Sequence, residues 1–119
     1  MSEAHHIYTD DWRALGIVSP TEIAEDAVAL ASGDDPHPEH YRWRRFVAFV
    51  HARPAIDASL ASSLYALGEH DADCSLGESI MSVILRREDC PFELHEKAML
   101  SSSEHLKRVA NARLNGKKG

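Results

Sequence analysis

The sequence has few cysteines and no long apolar run. Only Cys74 and Cys90 are present among 119 residues, and we predict that both are free, buried thiols in a reducing compartment. No apolar run approaches the roughly 20 residues of a membrane-spanning helix, and no signal-peptide pattern opens the chain. We therefore predict a soluble, cytoplasmic protein without membrane contact.

Catalytic signatures and an excess of basic residues are also missing. There is no GxSxG, HExxH or CxxC motif and no glycine-rich phosphate loop, so we predict a protein that is not an enzyme and holds no cofactor. Thirteen Lys and Arg residues stand against nineteen Asp and Glu, a formal net charge of −6. This balance disfavours non-specific nucleic-acid binding and favours a basic partner.

The size and composition are those of one globular domain. Apolar residues make up 44% and charged residues 27% of the chain, which is enough for a core without metal or disulfide. We predict one domain over residues 1–119, with a loose arm at about 1–8 and a short basic tail at 116–119.

The segment Ser75–Pro91 contains the most apolar helix of the chain. Its middle, from Ile80 to Leu85, is apolar on nearly every side, which indicates a helix enclosed by its neighbours. Ser75 and Glu78 have the spacing of a capping box. Two arginines follow in the last turn, where cations are favoured.

Helical periodicity and capping signals predict the remaining helices, and no strand-like alternation competes with them. Ser19, Pro20 and Glu22 form a capping box with proline at the first helical position. The helix they open has an apolar stripe from Ile23 to Ala31 that includes Val28. The helices are predicted at about 9–15, 20–32, 38–52, 56–67, 75–87, 91–100 and 101–114.

The helices after residue 19 fall into pairs. Pro20, Pro54 and Pro91 open the first helix of each pair, 34 and 37 residues apart. An alanine stands seven residues after each proline, where a small side chain lets two helices approach closely. These alanines are Ala27, Ala61 and Ala98. We predict an all-α fold of about six helices in three stacked pairs, a short α-solenoid, or alternatively a compact helical bundle.

The segment Asp89–Leu114, DCPFELHEKAMLSSSEHLKRVANARL, resembles a unit of the leucine-rich-repeat-variant and HEAT-like helical repeats. It has the Cys-Pro start, the apolar first helix, the short polar turn and the Arg-Val-Ala second helix of such a unit. The resemblance implies a HEAT-like stack that presents an extended binding surface. The chain lacks the N-terminal cysteine cluster of the variant family, so no iron–sulfur site is implied.

Two loops carry side chains that ligate metals. His37 and His40 stand beside carboxylates, and a second loop combines nitrogen, oxygen and sulfur donors within five residues. That second set is His70, Asp71, Asp73 and Cys74. A zinc site needs three or four such donors to converge at about 2.0–2.3 Å. Neither spacing is that of a known site, and acidic residues also collect at helix starts, so we predict no metal.

Basic side chains recur on the second helix of each predicted pair. In a stack these helices lie side by side, so the side chains could form one ridge that contacts a partner. The alternative is a solvated face with salt bridges. The candidates are Arg42, Arg44, Arg45, Arg86, Arg87, Lys107 and Arg108, with Arg113 nearby.

Three functional hypotheses follow. The first is a protein-binding or scaffold module, because helical repeats present extended surfaces. The second is an acidic inhibitor or immunity-type protein that neutralises a basic partner by charge complementarity. The third is nucleic-acid or phosphate binding through the arginine ridge, which predicts salt-dependent affinity.

Overall fold

The computed structural model describes residues 7–33 and 35–116, with the side chains of the last helix as far as Ala112. These residues form seven α-helices and no strand, so the prediction of an all-α fold is confirmed. No described helix has the length and apolar character needed to cross a membrane. The helices are α1 Asp10–Ala14, α2 Pro20–Ser32, α3 Pro38–His51, α4 Ala58–Glu69, α5 Cys74–Leu85, α6 Phe92–Met99 and α7 Glu104–Gly116.

The start of α2 confirms the predicted capping box. The Ser19 hydroxyl accepts a hydrogen bond from the Glu22 amide at 3.1 Å, and the Glu22 carboxylate accepts one from the Ser19 amide at 3.0 Å. Two of the amides that a helix start leaves unpaired are thereby satisfied. Gly33 ends the helix at a φ of 84°, a left-handed conformation that glycine adopts without a steric penalty.

The predicted capping box at Ser75 and Glu78 is wrong. Helix α5 begins at Cys74, and Asp73 is its N-cap, with a side-chain oxygen that accepts from the Leu76 amide at 3.1 Å. Aspartate is as good a cap as serine, so the helix starts at the earlier signal. The Glu78 carboxylate is left to accept a hydrogen bond from the Ser103 hydroxyl.

Three other predicted helix starts shift for the same kind of reason. Helix α4 begins at Ala58 rather than at Ile56. Asp57 is its N-cap, because its carboxylate accepts a hydrogen bond from the Leu60 amide at 2.7 Å. Helix α6 begins at Phe92 rather than at Pro91, which occupies its N-cap position. The last helix begins at Glu104 rather than Ser101, after Ser103, whose hydroxyl accepts from the Leu106 amide at 3.2 Å.

The chain divides into two compact units, unit 1 (Met1–Pro54) and unit 2 (Ala55–Gly119). Residues 1–6 of the predicted arm and 117–119 of the predicted tail lie outside the described residues, whereas Ile7 and Tyr8 are buried in unit 1. The single domain and the stack of three pairs stay predictions.

Unit 1 corrects the apolar stripe predicted for α2. Val28 is 71% exposed, and Ala24 and Ala31 are exposed as well. The buried positions of this helix are Ile23 and an aspartate, Asp26. The stripe is therefore correct only in part: Ile23 is buried and Ala27 and Leu30 are half-buried, whereas Val28 faces solvent because α2 instead buries Asp26 against its partners in unit 1.

Unit 2 contains the enclosed helix. Ile80, Ile84 and Leu85 of α5 are fully buried, as the sequence predicted. Helix α4 packs on α5, α6 packs on α7, and α5 also contacts α7. The last two predicted pairs are therefore present within this unit, with their second helices in contact.

Two glycines allow α4 and α5 to meet at backbone distance. A Cβ built on Gly77 would lie 2.2 Å from the carbonyl oxygen of Gly68, and one built on Gly68 would lie 2.7 Å from the carbonyl oxygen of Gly77. Neither distance is compatible with a side chain. The contact therefore requires glycine on both helices.

Candidate functional site

Arg45 is held in a half-buried polar cluster in unit 1, in which Tyr8 and Asp26 are buried. Its guanidinium donates to both oxygens of Asp26, Nε at 3.0 Å and Nη2 at 2.8 Å, and Nη1 contacts Glu22 at 3.1 Å. The Tyr8 hydroxyl donates to Asp26 at 2.5 Å. Burial and the hydrogen bond to Asp26 raise the pKa of Tyr8 far above its usual value, so Asp26 keeps a neutral donor. This arginine stabilises unit 1 rather than facing a partner.

The other arginines of unit 1 also have partners within it. Arg42 donates to the carbonyl oxygen of Ile7 at 3.0 Å. Arg44 pairs with Asp35 at 3.3 Å and lies 4.7 Å from the ring centre of Tyr41. The salt-bridged face that we considered as the alternative describes Arg44, whereas Arg42 holds the backbone at Ile7.

Arg87 belongs to a corresponding arrangement in unit 2. Its guanidinium donates to both carboxylate oxygens of Asp89, at 2.8 and 2.9 Å. The same carboxylate accepts from the Ile56 amide at 2.9 Å. The bidentate bond from Arg87 lowers the pKa of Asp89 to about 2. Asp89 therefore connects the chain that precedes α4 to the loop that follows α5.

Arg86 and Arg108 differ from the other candidates. Both are exposed, neither side chain makes an ion pair or hydrogen bond with any described residue, and both line one pocket of about 310 Å³. We call it the basic pocket, and its lining residues are Arg86, His105, Arg108, Val109 and Ala112. Lys107, next to Arg108 in sequence, does not line the pocket and lies 3.5 Å from Glu104.

The predicted metal candidates do not converge. The Nδ1 atom of His40 lies 3.1 Å from both Asp35 oxygens, and the His37 ring lies 4.8 Å from the His40 ring. Desolvation raises the pKa of Asp35, but the hydrogen bonds from His40 and from the His37 amide, together with the charges of His40 and Arg44, outweigh it, so the pKa lies below its usual value.

In the second loop, Asp73 caps α5, and Asp71 accepts a hydrogen bond from the Asp73 amide at 2.8 Å. Cys74 is exposed, which corrects the prediction of two buried thiols, and His70 is exposed as well. Across residues 7–33 and 35–116, no three His, Cys, Asp or Glu side chains are grouped as metal ligands.

A larger depression, of about 500 Å³, lies elsewhere on unit 2. We call it the acidic groove, and its lining residues are Tyr65, Gly68, Glu69, Asp71, Cys74, Glu78, Met81, Lys97, Leu100, Ser101, Ser102, Ser103 and Leu106. Its lining includes three carboxylate groups but only one ammonium group. Burial, followed by the charge of Glu69, raises the pKa of Tyr65 to about 12.

The acidic groove combines fixed polar contacts with exposed apolar surface. Lys97 donates to Glu69 at 2.9 Å and lies 5.7 Å from the ring centre of Tyr65. Leu100, at the end of α6, is 88% exposed. A large apolar side chain so exposed beside a depression is available for contact with another molecule.

Sequence reasoning missed the acidic groove. Its walls come from α4 and the loop after it, α5, α6 and the loop after it, and the start of α7. The distances between such segments cannot be read from periodicity. The sequence contained one signal of exposed apolar surface here. Leu100 is a large apolar residue that immediately precedes the three serines that end the helical pattern.

No family model matches the chain, and searches of curated proteins and of solved structures find no match either.

Proposed function

We propose that the chain is a non-enzymatic protein-binding module, whose acidic groove takes an extended segment of a partner with basic and apolar side chains. The observation that carries this proposal is the combination of carboxylates with an exposed leucine in one depression of about 500 Å³. We further infer a cytoplasmic location, supported by the free thiols of Cys74 and Cys90.

The charge of the acidic groove favours a basic partner. Glu69, Asp71 and Glu78 line it, and Lys97 offsets only one of them. The whole chain has a net charge of −6, so the long-range field has the same sign as the groove. Complementary charge accelerates the encounter and disfavours acidic competitors.

The apolar part of the acidic groove supplies affinity. Leu100 is 88% exposed, and full burial of a leucine side chain under a partner is worth about 1.5–3 kcal/mol. Met81 also lines the groove, and its flexible thioether adapts to apolar side chains of different shapes. A partner segment therefore needs an apolar side chain opposite Leu100 and Met81.

The second candidate is an inhibitor of a basic enzyme or toxin. The three carboxylates of the acidic groove favour it, because such an inhibitor neutralises its target through complementary charge. In that case the basic and apolar segment would belong to a folded target. The HEAT-like resemblance of Asp89–Leu114 is compatible with both candidates, since helical repeats bind proteins through extended surfaces.

Cys74 provides a direct test, because it lines the acidic groove and is exposed, whereas Cys90 is buried. Fluorescent peptides of alternating Lys and Leu, and matched peptides of alternating Glu and Leu, are titrated into the full chain. We expect the basic series to bind with a dissociation constant at least about tenfold lower. Bound peptide should also slow the alkylation of Cys74 by iodoacetamide.

Leu100→Ser should weaken this binding by about tenfold, the loss of about 1.4 kcal/mol of apolar contact. Val28→Ser is the matched control, since Val28 is also largely exposed but lies in unit 1. Equal binding of the acidic and basic series, or unchanged alkylation of Cys74 at saturating peptide, would refute the proposal.

A further inference from the structure

We propose that the basic pocket of unit 2 binds a phosphate monoester with an apolar ester group. This site shares no residue with the acidic groove and takes a ligand of opposite charge. The proposal is therefore independent of the function proposed above.

The basic pocket is built on one face of α7. His105, Arg108, Val109 and Ala112 follow one another at i, i+3, i+4 and i+7, which places them on one side of a helix. Arg86, the C-cap residue of α5, completes the lining, and α5 is in contact with α7. Two packed helices therefore fix the position of both backbones that present the guanidinium groups.

The charges in the basic pocket lack local compensation. The other described cations of unit 2, Arg87, Lys97 and Lys107, each lie within 4 Å of a carboxylate. Arg86 and Arg108 have no such partner among the described residues. Two like charges on one pocket repel each other, and a bound anion removes that cost.

Two guanidinium groups match a dianion better than a monoanion. Arginine binds phosphate through two parallel N–H···O bonds, and a phosphate monoester carries close to two negative charges at neutral pH. His105 adds a ring nitrogen to the same pocket. A carboxylate would neutralise only one of the two arginines.

The floor of the basic pocket accounts for the apolar ester group. Val109 is buried, Ala112 offers only a methyl group, and neither has a polar side-chain atom. The volume of about 310 Å³ is at the lower end of ligand pockets, which span roughly 300–1,000 Å³. Inorganic phosphate would satisfy the arginines but leave this floor in contact with water.

Phenyl phosphate is a suitable probe, titrated into the ¹⁵N-labelled full chain in a buffer free of phosphate and sulfate. We expect saturable shifts of the Val109 and Ala112 amides with a dissociation constant of about 1 mM or lower. Inorganic phosphate and benzoate should each bind at least about fivefold more weakly, because the first lacks the ring and the second lacks the second charge.

Arg86→Ala and Arg108→Ala should each weaken binding by about tenfold or more. Lys107→Ala is the matched control: it removes one positive charge from the residue next to Arg108 but outside the pocket, and should change the affinity less than about twofold. Both arginines are exposed, and circular dichroism checks that the variants fold.

Three outcomes would overturn the proposal. These are the absence of saturable shifts, equal affinity for benzoate and phenyl phosphate, and a loss in Lys107→Ala as large as that in Arg108→Ala. The last outcome would mean that the general positive field of α7, not the basic pocket, attracts the anion.

Discussion

At the scale of single residues, aspartates decide what the arginines of this protein do. Asp26 and Asp89 each accept two hydrogen bonds from one arginine and a third from elsewhere in their unit. A carboxylate with three donors holds its arginine in one geometry. Arg86 and Arg108 have no such aspartate among the described residues, so they are the ridge candidates with described side chains in unit 2 that remain available for an anion. The side chain of Arg113 lies outside the described residues.

The arrangement around Asp89 predicts an acid-sensitive contribution to stability. Its folded pKa of about 2 lies below the value of about 3.9 expected in an unfolded chain. The ionised form is therefore favoured by folding, and its contribution is present above about pH 4 and is lost as the pH falls towards about 2. Asp89 is 31% exposed, so solvent screening reduces the contribution to about 1 kcal/mol.

Asp89→Asn should accordingly lower the free energy of unfolding by about 1 kcal/mol at neutral pH. Below about pH 4 the difference from the wild-type chain should shrink, because the wild-type carboxyl becomes protonated as well. Urea unfolding, followed by circular dichroism at several pH values, measures this difference in the free energy of unfolding. Glu88→Gln is the control, since its side chain is exposed. A difference that stays constant down to about pH 2 would contradict the role of the Asp89 charge.

At the scale of helices, local sequence signals predicted the features that depend on neighbouring residues, such as caps. They failed for the features that depend on contacts with distant residues, such as which face is buried. The Ser19 box, the end of α2 at residue 32 and the apolar character of α5 were all readable. The buried face of α2 was not. Its periodic apolar residues favoured Val28, but Asp26 is buried because Tyr8 and Arg45 supply donors. No pattern within α2 contains that information.

The contact of Gly68 with Gly77 predicts an unusual sign for a helical substitution. Alanine in place of glycine normally stabilises an exposed helix by about 1 kcal/mol. In Gly77→Ala the new methyl group would lie 2.2 Å from the Gly68 carbonyl oxygen, so α4 and α5 must separate. We expect a net loss of about 1–3 kcal/mol in the free energy of unfolding, measured by urea titration.

Ser79→Ala provides the matched control for this contact. Ser79 is exposed on the same helix, and its replacement should be neutral or stabilise by a few tenths of a kcal/mol, about 0.5 at most. If Gly77→Ala proved as stable as Ser79→Ala, the close approach of α4 and α5 would be refuted.

At the scale of the whole molecule, the apolar periodicity predicted the fold class but not the division into units. Apolar periodicity and the absence of alternation were sufficient for an all-α fold. The boundary between Pro54 and Ala55 coincides with one of the three prolines that mark the predicted pairs, yet the same proline spacing led us to predict a single stack. A repeat spacing indicates where helices begin, whereas the cooperativity between pairs depends on contacts that the spacing does not specify.

Ile84→Asp tests that cooperativity. Ile84 is fully buried in α5, and a buried carboxylate without a partner costs several kcal/mol, about 4 or more, which is comparable to the stability of a small domain. We expect unit 2 to unfold, with a large loss of helical circular dichroism. Ser79→Asp, at an exposed position of the same helix, should remain folded.

The two tryptophans show whether unit 1 unfolds with it, because Trp12 and Trp43 both lie in unit 1. A single cooperative domain requires the tryptophan fluorescence of Ile84→Asp to change to that of the unfolded chain as the helical signal disappears. That is the expected result for the predicted single domain. Retention of native fluorescence with part of the helical signal would instead establish two independently folding units, and a fully folded Ile84→Asp would refute the enclosed position of α5.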